Sequence, residues 1–311
     1  MSIHVVIGYG PAGAATARLL AGQGHSVRVV TRSGRRPEPG IEHVAADAAD
    51  SARLTGIARG AVAIHGCAAP PYHRWAAQWP QLAASMGAAA EATGAVLVVL
   101  GNLYGYGPVD RPMTEDLPLA ATGPKGRARA AVWEQVRTLH EEGRIRAVEV
   151  RASDFFGPGV TDGGHLASRV VPRLLRGRSV SVLGDPDAPH SWTYMPDVAA
   201  ALVEAAGAEQ AWGRAWHVPT APARSAREMV GRLAAEAGTG PVAVRRTPPA
   251  VLGAASLFSP LIRELREIRY QFDRPFVVDS SAYESAFAVH ATPLDEQIRA
   301  TVAWWRERQP A

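Results

Sequence analysis

Ile3-His4-Val5-Val6-Ile7, followed at once by Gly8-Tyr9-Gly10-Pro11-Ala12-Gly13 and then by an alanine-rich stretch over 14–20, decides the fold. The apolar run reads as a strand, the glycines as a turn and the alanine-rich stretch as a helix. A second strand is expected over 26–31 after the Gly24-His25 turn, which completes the opening of a βαβ unit. Such a unit points backbone N–H groups at a pyrophosphate from a helix N-terminus, so a dinucleotide is the expected ligand. Gly8 would permit the tight turn, Gly10 the approach of phosphate to the backbone, and Gly13 the packing of helix on strand. Tyr9, Pro11 and Ala12 complete the expected phosphate turn.

The end of the second strand bears on which dinucleotide is bound. It reads Thr31-Arg32-Ser33-Gly34-Arg35-Arg36, and the first acid is Glu38. An NAD site usually places a carboxylate here for the ribose hydroxyls, whereas arginines suit a 2′-phosphate. NADP(H) is therefore the expected cofactor, with Arg32, Ser33 and Arg36 among its contacts and NAD(H) as the alternative.

Further units follow outward along the chain. Strands are expected over 41–46, 61–65, 95–100 and 145–151, with helices over 50–57, 75–93 and 127–142 between them. The continuous apolar run at 95–100 suits a strand covered on both faces. This alternation predicts an α/β fold: a Rossmann-type doubly wound parallel sheet with a smaller C-terminal substrate-binding lobe. The dinucleotide-binding domain is expected over 1–155, with 190–215 returning to it, and the smaller lobe over 156–189 and 216–311. Within that lobe a helix over 165–176 and a strand over 179–183 are expected. A helix over 198–206 starts at Pro196-Asp197, and Thr292 is the expected cap of a final helix.

The 311 residues, 47% of them hydrophobic, can bury a large core, and the single Cys67 allows no intrachain disulfide. No charged leader is evident, and no apolar span is long enough to cross a bilayer, so a cytoplasmic location is expected. The net charge is only +4 and basic residues are scattered, which disfavours nucleic acid as a partner. The histidines and Cys67 form no metal-ligand spacing, so no metal is expected. Chemistry therefore falls to a small-molecule substrate.

Several pieces in order give a more specific reading: Ala45-Ala46-Asp47, His65-Gly66-Cys67-Ala68-Ala69, Leu103-Tyr104-Gly105, Thr114-Glu115-Asp116, the run from Arg151 to Gly159, and the run from Thr193 to Ala199. With the glycine turn, they make the chain resemble the extended short-chain dehydrogenases/reductases, a superfamily that includes sugar-nucleotide epimerases and dehydratases. The resemblance implies that Asp47 lies near the adenine, that Cys67, Ala68 and Ala69 line the cofactor, and that Leu100 and Gly101 continue this wall beside the nicotinamide. It also implies pairing of two copies through the helices over 75–93 and 127–142, so a homodimer is one expectation and a monomer the other.

The chain departs from the family at the reacting groups. Its members use a serine or threonine, a tyrosinate, and a lysine four residues after the tyrosine. Here the serine position falls at Leu100 or Gly101, the tyrosine position at Gly126 and the lysine position at Ala130. Lys125 is adjacent to the tyrosine position, but one helical residue rotates a side chain by about 100°.

Carbonyl reduction asks less of the missing tyrosinate than alcohol oxidation does. The leading expectation is NADPH-dependent reduction of a ketone or quinone-like carbonyl, and the resemblance to atypical reductases of this type implies an aromatic polyketide or other secondary metabolite as the substrate. A nucleotide-sugar epimerase or dehydratase is the first alternative, and a catalytically inactive NADP(H)-sensing regulator or scaffold the second. Asn102 and Tyr104 are the candidate catalytic replacements, through an amide donor and a phenol. Tyr72, His73, Tyr106, Asp154, Phe155, His165, Trp192 and Tyr194 are the candidate substrate-pocket residues, with His190 in the same segment.

Overall fold

The computed structural model describes residues 1–36, 38–161 and 163–308. Contacts divide them into two units. The first comprises Met1–Gly107, Pro118–Ala152 and Val198–Trp216; the second comprises Pro108–Leu117, Ser153–Asp197 and the chain from His217 on.

The first unit is built on a seven-stranded sheet. In chain order its elements are β1 (Ile3–Ile7), α1 (Pro11–Gly22), β2 (Ser26–Thr31), β3 (Ile41–Ala45), α2 (Ser51–Ala58), β4 (Ala61–Gly66), α3 (Trp75–Thr93), β5 (Val96–Asn102), α4 (Pro124–Glu141) and β6 (Ala147–Ala152). The second unit contributes β7 (Asp154–Phe156), α5 (Val171–Leu174), β8 (Val180–Val182) and β9 (Trp192–Tyr194). Then α6 (Met195–Gly207) and β10 (Ala215–His217) return the chain to the sheet, whose order is β10-β6-β5-β4-β1-β2-β3. The pairs β1–β2, β2–β3, β1–β4, β4–β5 and β5–β6 are all parallel.

Side chains alternate along β1, so the sheet has two apolar faces. Val5 and Ile7 join a cluster with Leu54 of α2, Leu82 and Met86 of α3 and Val136 of α4. Val6 points the other way, into a cluster with Ala17 and Leu20 of α1. These are the covered faces of a doubly wound sheet, as the alternation predicts. Strand order reverses between β1 and β4, and the carboxyl ends there form the crevice in which such sheets bind ligands.

The second unit ends with α7 (Ala226–Ala237), β11 (Val244–Arg246), α8 (Pro249–Phe258), α9 (Pro260–Leu265), α10 (Tyr270–Asp273), α11 (Ser281–Phe287) and α12 (Leu294–Arg306). Two-stranded pairs, β7 with β9 and β8 with β11, organise it.

Two local expectations are corrected. The helix over 165–176 shrinks to α5, preceded by turns; Pro172 has no N–H to continue a helix begun at 165 and tolerates only a first-turn place. Thr292 does not cap α12, whose N-cap is Pro293. Its hydroxyl and N–H instead donate to Asp197 at 2.6 and 3.0 Å. No helix among the described residues is long and apolar enough to cross a membrane.

Candidate functional site

In the first unit a cleft of about 570 Å³ opens at the glycine turn. Gly8 has φ +92°, and a Cβ there would lie 2.8 Å from Ala68 Cα, so neither the conformation nor the space admits a side chain. A Cβ on Gly13 would collide with the Gly8 carbonyl oxygen. Gly10 differs: nothing lies within 4 Å of its absent Cβ, because it faces the open cleft. As N-cap of α1 it gives no side-chain cap, so the positive end of a twelve-residue helix's dipole begins at the Gly10 that lines the cleft. This cradle fits a pyrophosphate, and the volume lies within the range of about 300–1,000 Å³ usual for small-molecule sites.

Of the expected cofactor contacts, Gly8, Tyr9, Gly10, Arg32, Ser33, Asp47, Cys67, Ala68 and Ala69 line the cleft. Pro11, Ala12, Gly13, Leu100, Gly101 and Arg36 are not among its lining. Gln78, Gln81 and Leu82 of α3 do line it and were not anticipated. Their spacing by three and four residues puts them on one helix face, the signal that identifies them. Loss of solvent pushes the Cys67 thiol up to about 12, so it is no nucleophile near neutral pH. Asp47 accepts from the Ala49 N–H at 3.0 Å, which ties its carboxylate to the turn after β3.

The arginines after β2 do not gather at the cleft. Arg35 lies over the Tyr9 ring, 5.2 Å from its centroid, and Arg36 is exposed. Glu38 accepts from the Tyr9 hydroxyl and, at 3.1 Å, from Arg18 Nε. The Tyr9 bond is the largest influence holding its carboxyl below the usual range. Burial first, and the neighbouring Glu38 bond second, push the Tyr9 phenol up to about 12.

At the end of β5 the candidate replacements take distinct places. Asn102 Oδ1 accepts from the Tyr104 N–H at 3.1 Å, a turn cap. The Tyr104 and Tyr72 hydroxyls are 3.0 Å apart. Both rings stack on Trp75, at centroid distances of 6.0 and 4.8 Å. Tyr106 is buried in the sheet unit, its hydroxyl accepting from Arg151 Nη1 at 2.6 Å, while Arg151 Nε donates to Glu149 at 2.7 Å. His73 is exposed.

Two of the positions at which the resemblance expects the family's side chains, Gly126 and Gly101, have no room for one. A Cβ on Gly126 would lie 2.5 Å from the Tyr104 carbonyl oxygen and would also collide with Ala121, so α4 has no room to project a tyrosine there. A Cβ on Gly101 would lie 2.6 Å from Glu149 Oε1.

Within the second unit, Asp154 of β7 reaches His190 Nε2 at 2.6 Å through Oδ2, and His190 Nδ1 donates to the Gln271 carbonyl at 3.1 Å. The ring of His190 is thus held between a carboxylate and a backbone carbonyl. His165 stacks on Phe272 at 4.5 Å, with Trp192 5.8 Å away. Burial pushes it down to about 4, with Asp154 opposing. Asp154, His165, Trp192 and His190 are thus brought together. Phe155 lies between Asp154 and Phe156 on β7, half-buried. Tyr194 is buried on β9, where loss of solvent pushes its phenol up to about 12. Among the described residues no three His, Cys, Asp or Glu side chains form a group able to hold a metal.

A glycine cradle at the switch point of a parallel sheet, opening on a cleft of this size, defines a Rossmann-fold dinucleotide-binding protein. The model of the NAD dependent epimerase/dehydratase family matches residues 4–218, and the chain belongs to that family. No curated protein matches it. Similar solved structures include UDP-glucose 4-epimerase from Thermotoga maritima with UDP-glucose (18% identity, TM-score 0.82, 99% of each chain covered). A second is dTDP-glucose 4,6-dehydratase from Bacillus anthracis in complex with NAD (14% identity, TM-score 0.81, 99% of this chain and 98% of that one). A third is a dTDP-glucose 4,6-dehydratase double mutant from Streptomyces venezuelae with NAD bound (21% identity, TM-score 0.79, 99% of this chain and 97% of that one).

Two expectations are corrected by these findings. The leading reading as a ketoreductase acting on an aromatic polyketide gives way to the alternative, because the matching family is one of epimerases and dehydratases and the similar structures include a dTDP-glucose 4,6-dehydratase and a UDP-glucose 4-epimerase. The preference for NADP(H) gives way to NAD, which the dehydratase structures hold. The physical reason lies in the loop after β2: three arginines in sequence suggested a phosphate site, yet only Arg32 of the three lines the cleft.

Proposed function

We propose that the protein binds NAD and acts on a nucleotide-sugar-like substrate by the reversible oxidation that underlies epimerisation and dehydration. The observation that carries this reading is the family match over 4–218, which runs from the glycine cradle through Asp154 and His190. Bound NAD would supply a reversible hydride acceptor. The chain's own part is to bind and orient: the N-terminus of α1 receives the pyrophosphate at Gly10, and the turn at Asp47 receives the adenosine end. Thr31, Arg32 and Ser33 flank the ribose without the cluster of cations that a 2′-phosphate would need. Asp154, held by His190 at 2.6 Å, is the acceptor proposed for a sugar hydroxyl.

The test combines calorimetry with product analysis. NAD should bind, and NAD-loaded protein incubated with UDP-glucose or dTDP-glucose should give new sugar resonances in the NMR spectrum. NAD binding with both sugars unchanged would overturn the substrate class and favour a dinucleotide sensor. Absence of NAD binding would overturn the cofactor assignment.

A further inference from the structure

We infer that the paired hydroxyls of Tyr104 and Tyr72 form the proton relay of this protein, with Tyr104 as the acid–base group and Tyr72 as the residue that positions and feeds it. The inference rests on the proposed oxidation of a sugar alcohol, and it says which residues do the work that Gly126 and Ala130 cannot.

Three observations converge on the pair. The first is location: Pro70 and Pro71 line the cofactor cleft on one side of Tyr72 in the chain and Gln78 lines it on the other. Tyr104 follows β5, on the carboxyl edge of the sheet where such folds hold their ligands. The second is substitution in space. The place beside α4 where a tyrosine side chain would begin at Gly126 is taken by the backbone of Tyr104 itself. The loop after β5 thus brings a phenol to the neighbourhood that the helix has vacated.

The third observation is a cation. Arg129, one residue before the vacant lysine position, is buried on α4 and donates to the Leu100 carbonyl at 2.8 Å. Its guanidinium lies 4.5 Å from the Trp79 ring centroid, and Trp79 packs edge-on against Trp75, on which both tyrosines stack. Arg129 Nε is buried without a hydrogen-bond partner. The guanidinium also interacts electrostatically with Tyr104. Glu149, whose Oε1 accepts from Arg129 Nη2 at 3.4 Å, and Arg151 share this buried cluster; the guanidinium face turned to Tyr104 favours the phenolate there, as lysine does for tyrosine elsewhere in the family.

The step balances as follows. Tyr104 gives up its proton through Tyr72 to water and becomes a phenolate. The phenolate then takes the hydroxyl proton of the substrate alcohol, and bound NAD would supply the acceptor for the carbinol hydrogen, which leaves with two electrons as hydride. The alcohol becomes a ketone, and return of hydride and proton reverses each transfer.

Tyr104→Phe and Tyr72→Phe keep the stacked rings and remove one hydroxyl each. With UDP-glucose and dTDP-glucose as probes, the absorbance of reduced nicotinamide should show hydride transfer in the wild type. It should be slower by about 100-fold in Tyr104→Phe and by about 10-fold in Tyr72→Phe, with a displaced pH profile in the latter. Calorimetric NAD affinity should stay within about twofold in both, since neither hydroxyl is asked to bind the dinucleotide. A Tyr104→Phe rate equal to wild type overturns the relay while leaving the proposed function standing.

If the wild type transfers hydride from neither sugar, the proposed function fails, and alkaline titration of tyrosinate absorbance in the free protein decides the pair. One of the seven tyrosines should then ionise ahead of the others in the wild type, later in Tyr72→Phe, and not at all in Tyr104→Phe. An early phase that survives in Tyr104→Phe, or a wild type without one, overturns the inference.

Discussion

At the scale of single residues, Gly10 and Gly13 separate folding from binding. Gly13→Ala drives a methyl into the Gly8 carbonyl, so thermal unfolding should show a loss of about 1–3 kcal/mol. Gly10→Ala meets nothing within 4 Å and should unfold like the wild type, yet a calorimetric titration should show NAD affinity lower by about tenfold where the phosphate approaches. The turn at Gly8 and the close packing at Gly13 were legible in the sequence because each answers a backbone requirement that spacing reveals. Arg35 and Arg36 were misleading for the opposite reason: adjacency in sequence says nothing about whether a loop turns its side chains toward Tyr9, toward solvent or toward the cleft. The Tyr72–Tyr104 contact joins residues 32 positions apart, and no local pattern encodes it.

At the scale of elements, the strands and helices of the sheet unit follow from apolar runs and turn residues. Val96–Asn102 reads as apolar because both of its faces are covered, and α3 spans Trp75–Thr93, as its pattern predicts. Of the short strands in the second unit, Val180–Val182 lies within the stretch expected over 179–183, whereas Trp192–Tyr194, held by a partner distant in the chain, carries no local pattern that announces it. Helix α7 carries its own signal. Ser225 Oγ accepts from the Glu228 N–H, and Glu228 accepts from the Ser225 N–H at 2.7 Å, a reciprocal capping box. Ser225→Ala should lower stability in urea denaturation by about 1 kcal/mol, whereas Thr292→Ala should leave the start of α12 at Pro293 unchanged and remove the hydroxyl bond to Asp197 while the backbone N–H keeps its own.

At the scale of the whole molecule, buried histidines make stability depend on pH. His65 is pushed down to about 3 and His4 to about 4, in each case mainly by burial, and His165 to about 4. Their ordinary value is 6.5, so below it the unfolded chain takes up protons that the folded chain refuses. Stability is therefore full above 6.5 and drains away as pH falls toward 4 and 3. The urea midpoint should drop across that interval, and His65→Gln should make the drop shallower. The family assignment places this molecule among NAD-dependent epimerases and dehydratases while its own α4 has no space for their tyrosine, so everything proposed for its chemistry stands on the cofactor cleft. Parallel calorimetric titrations with NAD and NADP test that claim most directly. The account predicts binding of one NAD per chain, tighter than NADP; tighter NADP binding, or no heat with NAD, would contradict it.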